Sequence, residues 1–324
     1  MKFSDLSLNI SEPDYRQLPS LSYSFISKYK KENVLAFKDE KQEITSSLIF
    51  GSLVDMLLTQ PEIKVYDKYT VIDKTIPKRA VKVLTDVKNG CELEVALMEN
   101  YPSNWKLQTM KDKYIQEIGD FYNVGFDENK QIIYQEQLDD AYNIVNKISN
   151  NKSISRLFDS YYPKYLEGSE EIYYQLKFQT TLNNIPFKCM TDCICVDNKH
   201  KTITLYDLKT MSDHIWNFPN NFIKYNYWIQ ANLYVDIIKN IIKETPYANY
   251  EIKPFTFIVV NRYINEPCCV FQFNYSTPTD VKYNIKTYQQ YANEILAVYN
   301  SDDFDLPIDF RCDIVELNKL LNYE

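Results

Sequence analysis

The sequence predicts an α/β fold in which a helical N-terminal part leads into a sheet-bearing C-terminal part. Three observations predict it. Apolar residues recur at three- and four-residue intervals through the first half; from about Glu170 the period shortens to two; and strand-like runs then alternate with further helical patterns. No internal repeat, low-complexity tract or linker rich in Pro, Gly and Ser divides the 324 residues. One domain over 1–324 is expected, with 1–168 as its mainly helical part and 169–324 as its α/β core.

In chain order, helices are expected over 21–31, 45–59, 105–118 and 131–148, separated by polar or proline-bearing breaks. Strands come next, over 171–182, 185–196 and 202–210. Turn signals at Asn183-Asn184 and Asp197-Asn198-Lys199 make them an antiparallel meander. A long helix over 221–243, strands over 254–261 and 268–273, and an amphipathic helix over 281–299 complete the pattern.

Composition narrows the function. The chain is 45% hydrophobic and 25% charged, which excludes a disordered chain, a collagen-like fibre or a coiled coil. Its longest apolar runs, such as 257–260, fall far short of the roughly 20 residues a membrane span needs. The opening Met1-Lys2-Phe3-Ser4-Asp5 turns polar before an apolar stretch can form, which predicts no secretory signal and a cytoplasmic location. Seven cysteines at irregular spacings read as reduced, partly buried thiols. With only five glycines the chain has neither G-x-G-x-x-G nor G-x-x-x-x-G-K-[ST], so neither a nucleotide-driven motor nor a Rossmann dehydrogenase is expected. Two histidines cannot build a histidine-rich zinc site, so a metal would be held by carboxylates, which suits Mg²⁺ or Mn²⁺. The net charge of −8 does not favour a nucleic-acid partner by itself, but carboxylates gathered around a metal can coexist with a local basic channel.

The informative residues lie on two neighbouring strands. Period two puts Asp207 and Lys209 on one face and Leu208 on the other, and puts Asp192 in one row with Met190 and Ile194. An unpaired charge in that apolar row would cost several kcal/mol, so something must neutralise Asp192. If the hairpin brings Asp192 beside Asp207, a hard divalent cation between them does so. A structural ion pair of Lys209 with either acid is the other reading of the same residues. Asp55 is a lone acid in an apolar helix with Gly51 and Ser52 on its own face, leaving room for a ligand; the alternative is an exposed helix edge. Gln230 and Tyr234, four apart on the long helix, offer an amide and a phenol to the strand ends. Glu171, at the start of the first long strand, is a weaker supporting candidate.

Asp192, a hairpin, then Asp207-Leu208-Lys209-Thr210 and a helix bearing Gln230 and Tyr234 resemble the PD-(D/E)xK nuclease superfamily in its RecB-like branch. With Leu21-Ser22-Tyr23-Ser24 and the block from Phe50 to Glu62, the chain is most similar to the exodeoxyribonuclease VIII (RecE-type) phage exonucleases. The resemblance implies a restriction-endonuclease-like core, a central mixed sheet flanked by helices. It implies that Asp192, Asp207 and the Leu208 carbonyl bind Mg²⁺ or Mn²⁺, and that Lys209 orients or deprotonates the attacking water with Gln230 beside it. Asp55 stands where many relatives carry a metal-binding histidine. The implied activity is 5′-to-3′ hydrolysis of DNA from linear duplex ends in phage recombination or DNA processing. A homo-oligomeric ring of three or four chains and a single-strand annealing partner are implied too. The alternatives are an inactive DNA-end or recombinase-binding module on the same fold, and an endonuclease or single-strand nuclease. Basic runs at Lys28 to Lys31, at Lys78-Arg79, and at Lys106, Lys111 and Lys113 are candidates for the DNA path or solvated faces. The spacing of Cys268, Cys269 and Cys312 does not fit an iron–sulfur cluster.

Overall fold

The computed structural model describes residues 1–32, 36, 45–72, 76–119, 130–158, 170–274 and 286–299. Its main sheet uses strands β3 (Glu170–Leu182), β4 (Ile185–Asp197), β5 (Thr202–Met211), β7 (Phe255–Asn261) and β8 (Cys269–Phe273) in that spatial order, with the short β6 (Glu251–Ile252) also beside β5. β3, β4 and β5 form the antiparallel meander that the two turns predict; β7 runs parallel to β5, and β8 antiparallel to β7. The sheet is therefore mixed, as expected. Every residue of β7 is buried, because helices cover both faces of the sheet at that point, and a strand so placed reads as an unbroken apolar run.

The crossover from β5 to β7 passes through α10 (Phe218–Lys224) and α11 (Tyr227–Ile242). A single helix was expected here. Asn226 breaks it by taking the left-handed conformation (φ 59°), which asparagine tolerates better than most residues. α11 packs on one face of the sheet with α2 (Tyr23–Glu32) and α12 (Tyr288–Tyr299), around Phe178, Ile194, Leu205 and Phe257. The opposite face carries α3 (Ser46–Thr59), α8 (Gln135–Ser149) and α9 (Ser155–Phe158), around Phe50, Leu53, Ile144, Cys193 and Ile258. The Thr45 hydroxyl caps α3 by accepting the Leu48 amide.

A third apolar cluster joins α5 (Lys78–Lys88), α6 (Leu93–Asn100) and α7 (Leu107–Ile118). It adjoins a parallel pair made of β1 (Tyr69–Ile72) and β2 (Gln131–Tyr134). β2 corrects the expected helix over 131–148. Its first four residues pair as a strand and the helix starts only at Gln135, where the Gln137 side chain accepts the Tyr134 amide. The short helices α1 (Glu12–Gln17) and α4 (Val65–Lys68) complete the set. The expected helix over 281–299 is described only from Tyr288, and Cys312 lies outside the described residues.

The N-terminal segment lies along the ends of β3 and β4. The Leu8 amide donates to the Lys177 carbonyl, and Leu21 and Phe187 form an isolated parallel bridge. Lys188 is buried, and its ammonium donates to the carbonyls of Tyr15, Arg16 and Leu18 at 3.0, 2.8 and 2.8 Å. Lys188→Met should cost about 1.5–3 kcal/mol in urea unfolding, the usual worth of hydrogen bonds from a charged donor. Unchanged stability would show that this clasp contributes nothing.

Candidate functional site

The β4–β5 ladder runs from Asp197↔Thr202 to Cys193↔Tyr206 and stops. From there β4 continues along β3, while β5 continues along β7. The two strands fork, and Asp192 and Asp207 are the first residues on either side of the fork. Asp192 Oδ2 accepts the Leu208 amide at 2.8 Å, so a side chain ties back the edge of β5 that the fork has freed. The amide and carbonyl of one strand residue point to the same edge, which turns the Leu208 carbonyl toward the fork as well.

Asp207 and Lys209 share a face, as period two requires, while Leu208 packs into the α3–α8 core. Lys209 Nζ lies 2.6 Å from Asp207 Oδ2. The two ends of one amide hold both groups: Gln230 Oε1 accepts from Lys209 Nζ at 3.1 Å, and Gln230 Nε2 donates to Asp207 Oδ1 at 2.6 Å. Lys209 also stands 4.5 Å over the Tyr227 ring. From the other side α3 brings Asp55. Its Oδ2 accepts from Gln175 Nε2 at 2.6 Å, whereas its buried Oδ1 has no hydrogen-bond partner among the described residues.

These side chains open on one cleft of about 680 Å³, lined by Asp55, Asp192, Asp207, Leu208, Lys209, Gln230 and Tyr234. Gly51 and Ser52 line it too, as the small residues beside Asp55 led us to expect. The structure thus brings together on one cleft all but one of the residues singled out in the sequence. The exception is Glu171. It is held near the far end of β3 by Tyr173 and Asn198 and does not line the cleft.

Electrostatics mark the acids as a group. Burial first, then the charges of Asp207 and Glu12, push the Asp55 carboxyl up to about 7, against a weaker pull from Lys68. Burial first, then Asp207 and Asp55, raise Asp192 well above the usual carboxylate range, against Lys209 and the Leu208 amide. For Lys209, burial works against the ammonium, but Asp207, Tyr227 and Asp192 outweigh it and hold its pKa above the usual lysine value.

Among the described residues, no group of three or more His, Cys, Asp or Glu is drawn together closely enough to form a ready-made metal cage. The donors nevertheless fit a cation. They are all oxygen, the Asp207 charge helps to raise both the Asp55 and the Asp192 carboxyl, and one buried oxygen of Asp55 has no hydrogen-bond partner among the described residues. Three carboxylates on one cleft, of which Lys209 answers only Asp207 and Asp192, suit a hard divalent ion.

One residue of the site escaped the sequence reading. Gln175 takes φ 52° in the middle of β3, opposite Asp192. The cross-strand register is unchanged across it, Tyr174↔Cys193 on one side and Leu176↔Thr191 on the other. What changes is the facing. Leu176 and Phe178 pack on the α11 side and so does Tyr173, while Ile172 and Tyr174 pack on the α3 side; the alternation slips by one residue at Gln175. β4 slips at the same level, with Phe187 and Cys189 facing α11 and then Ile194 and Val196. The expected single row of Met190, Asp192 and Ile194 is thereby broken: Met190 and Asp192 line the cleft and Ile194 enters the core. A left-handed glutamine is strained by about 1 kcal/mol or more. Gln175→Gly and Gln175→Ala both lose the amide that holds Asp55, but only alanine keeps the strain. The glycine variant should be the more stable of the two by about 1 kcal/mol in urea unfolding, and equal stability would contradict the strain.

The basic runs are largely committed within the protein. Arg79 pairs with Glu117, Lys111 with Glu94, and Lys30 with Asn226. His200 sits 2.6 Å from Asp197 in the β4–β5 turn. Among the described cysteines all are free thiols. Among the described residues, no helix is long and apolar enough to cross a membrane.

Two solved structures are among those similar to the chain. A crystal structure named for a candidate exonuclease from Eubacterium rectale has 14% identity and a TM-score of 0.39, covering 90% of this chain and 82% of that one. A crystal structure of SSO0001 has 9% identity and a TM-score of 0.27, covering 79% of this chain and 87% of that one. None of the curated proteins matches the chain in sequence. Residues 26–316 match the family described as PDDEXK-like domain of unknown function (DUF3799). That match takes in α3, the whole main sheet and α11, and with them every acid of the fork. The chain belongs to this family of PDDEXK-like domains.

Proposed function

We propose that the protein is a metal-dependent deoxyribonuclease that hydrolyses the phosphodiester bonds of DNA, acting over 1–324 as a single nuclease domain. The observation that carries this reading is the fork: an acid from each diverging strand, a third from α3, and a lysine two residues beyond the second acid, all facing one cleft. Membership of a PDDEXK-like family supports it.

Asp55, Asp192, Asp207 and the Leu208 carbonyl would hold Mg²⁺ or Mn²⁺. When bound, such an ion supplies Lewis-acid polarisation of the phosphoryl group and acidifies water at neutral pH. The remaining chemistry belongs to the side chains. Lys209 carries its positive charge toward the position where the phosphoryl oxygens gain negative charge, and its ammonium can orient the attacking water. Gln230 fixes the Asp207–Lys209 pair through both ends of its amide, so neither side chain must reorient during reaction. Leu208 fixes Asp192 in the same way through the backbone.

The finer reading rests on the resemblance to RecE-type exonucleases: 5′-to-3′ exonuclease action on linear duplex ends, a ring-shaped homo-oligomer, a single-strand annealing partner, and a cytoplasmic role in phage recombination or DNA processing. The test is degradation of linear duplex DNA labelled at either terminus, with closed circular duplex as the control, in Mg²⁺ or Mn²⁺. Loss of the linear substrate alone, abolished by Asp207→Ala, is expected, and the label released first gives the polarity. Equal loss of the circle would replace the exonuclease with an endonuclease. A folded protein inert on both substrates with both metals would overturn the nuclease reading.

A further inference from the structure

Beside the acid-lined cleft lies a second one of about 280 Å³, which shares Ser47, Lys209 and Thr210 with it. Its walls are aromatic. Tyr225 follows α10 as its C-cap, and the loop after β7 presents Tyr263; the two are 44% and 64% exposed, with Tyr227 next to Tyr225 and beside Lys209. Each ring has a protein neighbour, Arg262 for Tyr263 and Tyr227 for Tyr225, and still leaves much of its surface open at the lip of one cleft, where a flat ligand can stack.

The Tyr263 loop is rigidly held. The buried Asn261 side chain accepts the Tyr263 and Ile264 amides at 2.7 and 2.6 Å, and Lys147 donates to the Asn261 and Ile264 carbonyls at 3.1 and 2.8 Å. The Arg262 guanidinium lies 4.8 Å from the Tyr263 ring, stacks on Phe50 at 3.9 Å, and is anchored by Asp140 at 2.9 Å. A ring backed on one side by a fixed guanidinium is a preformed stacking platform. Tyr225, which lines the same cleft, is tied down by the Tyr23 hydroxyl, which donates to its carbonyl at 2.7 Å. Asn221 and Ser212 add an amide and a hydroxyl that could meet the edge of a flat heterocycle.

We propose that this cleft seats an unpaired nucleobase of the strand being cut, stacked on Tyr263 and Tyr225, with its neighbouring phosphate delivered to Lys209. The inference rests on the nuclease reading above and deepens it by naming the form of DNA that the site accepts. Continuity through Lys209 favours this occupant, since the two clefts adjoin and a strand held at the acid-lined one can place an adjacent base in this one. A base within a duplex has both faces covered by its neighbours and cannot stack on a protein ring, so the base must be frayed or single-stranded.

The test uses a duplex with a mismatched terminal 2-aminopurine and hydrolysis-resistant phosphorothioate linkages, in Mg²⁺, reading anisotropy for affinity and 2-aminopurine fluorescence for stacking. The wild-type protein should quench the base. Tyr263→Ala should bind roughly ten-fold more weakly and lose the quenching, Tyr263→Trp should restore both, and Tyr66→Ala, at another exposed aromatic, should change neither. Circular dichroism melts confirm that the variants fold; Tyr263 is exposed enough that they should. If wild-type protein degrades linear DNA while Tyr263→Ala and Tyr225→Ala match it in affinity and quenching, this inference fails and the nuclease reading stands. If the wild type neither binds nor degrades DNA, the nuclease reading fails and takes the inference with it.

Discussion

Lys209→Met should lower DNA cleavage by about 10²–10⁴-fold, the range for removing a single acid–base or charge-stabilising group. The same substitution should destabilise the metal-free protein by about 3–5 kcal/mol, because it leaves the buried Asp207 without the ammonium 2.6 Å away. These two effects have one origin. Lys209 is the cation that Asp207 and Asp192 share, and its own pKa is held up by both of them. Added Mg²⁺ should therefore raise the melting temperature of Lys209→Met by more than it raises that of the wild type. A variant that cleaves at the wild-type rate would remove Lys209 from the mechanism. A variant as stable as the wild type in EDTA would mean that the acids do not depend on its charge.

Asp55→Asn should do the opposite to stability. The Asp55 carboxyl rises from 3.8 to about 7 in the folded protein, chiefly through burial. Between these values the unfolded chain ionises Asp55 while the folded chain keeps it protonated. Metal-free stability therefore falls as pH rises from about 4 to about 7 and stays lowered above that. The rise corresponds to at most about 4 kcal/mol, an upper figure because the acids titrate together. Asparagine carries no charge and can still accept from Gln175, so at pH 7.5 in EDTA the variant should be more stable than the wild type by up to that amount, and its stability should vary less across pH 4–7. The gain comes with a loss. At Mg²⁺ concentrations about 100 times the dissociation constant, ligation adds about 2.7 kcal/mol to wild-type stability, and most of this should vanish in Asp55→Asn. Urea unfolding at several pH values, with and without Mg²⁺, measures both effects. A variant less stable than the wild type in EDTA would contradict the burial penalty at Asp55, and an undiminished response to Mg²⁺ would take Asp55 out of the cation site.

Much of the site was legible because it obeys simple periods. Asp207 and Lys209 share a face two residues apart on a strand; Gln230 and Tyr234 share one four apart on a helix; Asp55 is conspicuous as the single acid in an apolar helix flanked by small residues. The meander was legible from its two turns. What the sequence hid are places where tertiary demands override a local pattern. Nothing in 171–182 marks Gln175 as left-handed, since glutamine carries no preference for that conformation and the strand pattern runs through it unbroken; the slip is set by how β3 and β4 must face two different helical layers. The same slip defeated the expected row of Met190, Asp192 and Ile194. The strand Gln131–Tyr134 was hidden because Ile132 and Ile133 also fit the helical period of α8, and only its partner Tyr69–Ile72, about sixty residues earlier, makes it a strand. Asn226 did carry a signal, since asparagine tolerates a positive φ, but the apolar period continues across it. Glu171 shows the reverse error: an acid at a strand end looks available in sequence, yet its partners Tyr173 and Asn198 lie at the end of the hairpin remote from the fork.

If the protein is a nuclease, the fork between β4 and β5 is its divalent-cation site for phosphodiester hydrolysis. The most direct measurement is an anomalous difference map from a crystal of the protein soaked in Mn²⁺. A peak bounded by the carboxylates of Asp55, Asp192 and Asp207 and the Leu208 carbonyl is expected, and it should disappear in Asp207→Asn. Manganese bound elsewhere on the protein, with no density at the fork under saturating Mn²⁺, would contradict that assignment.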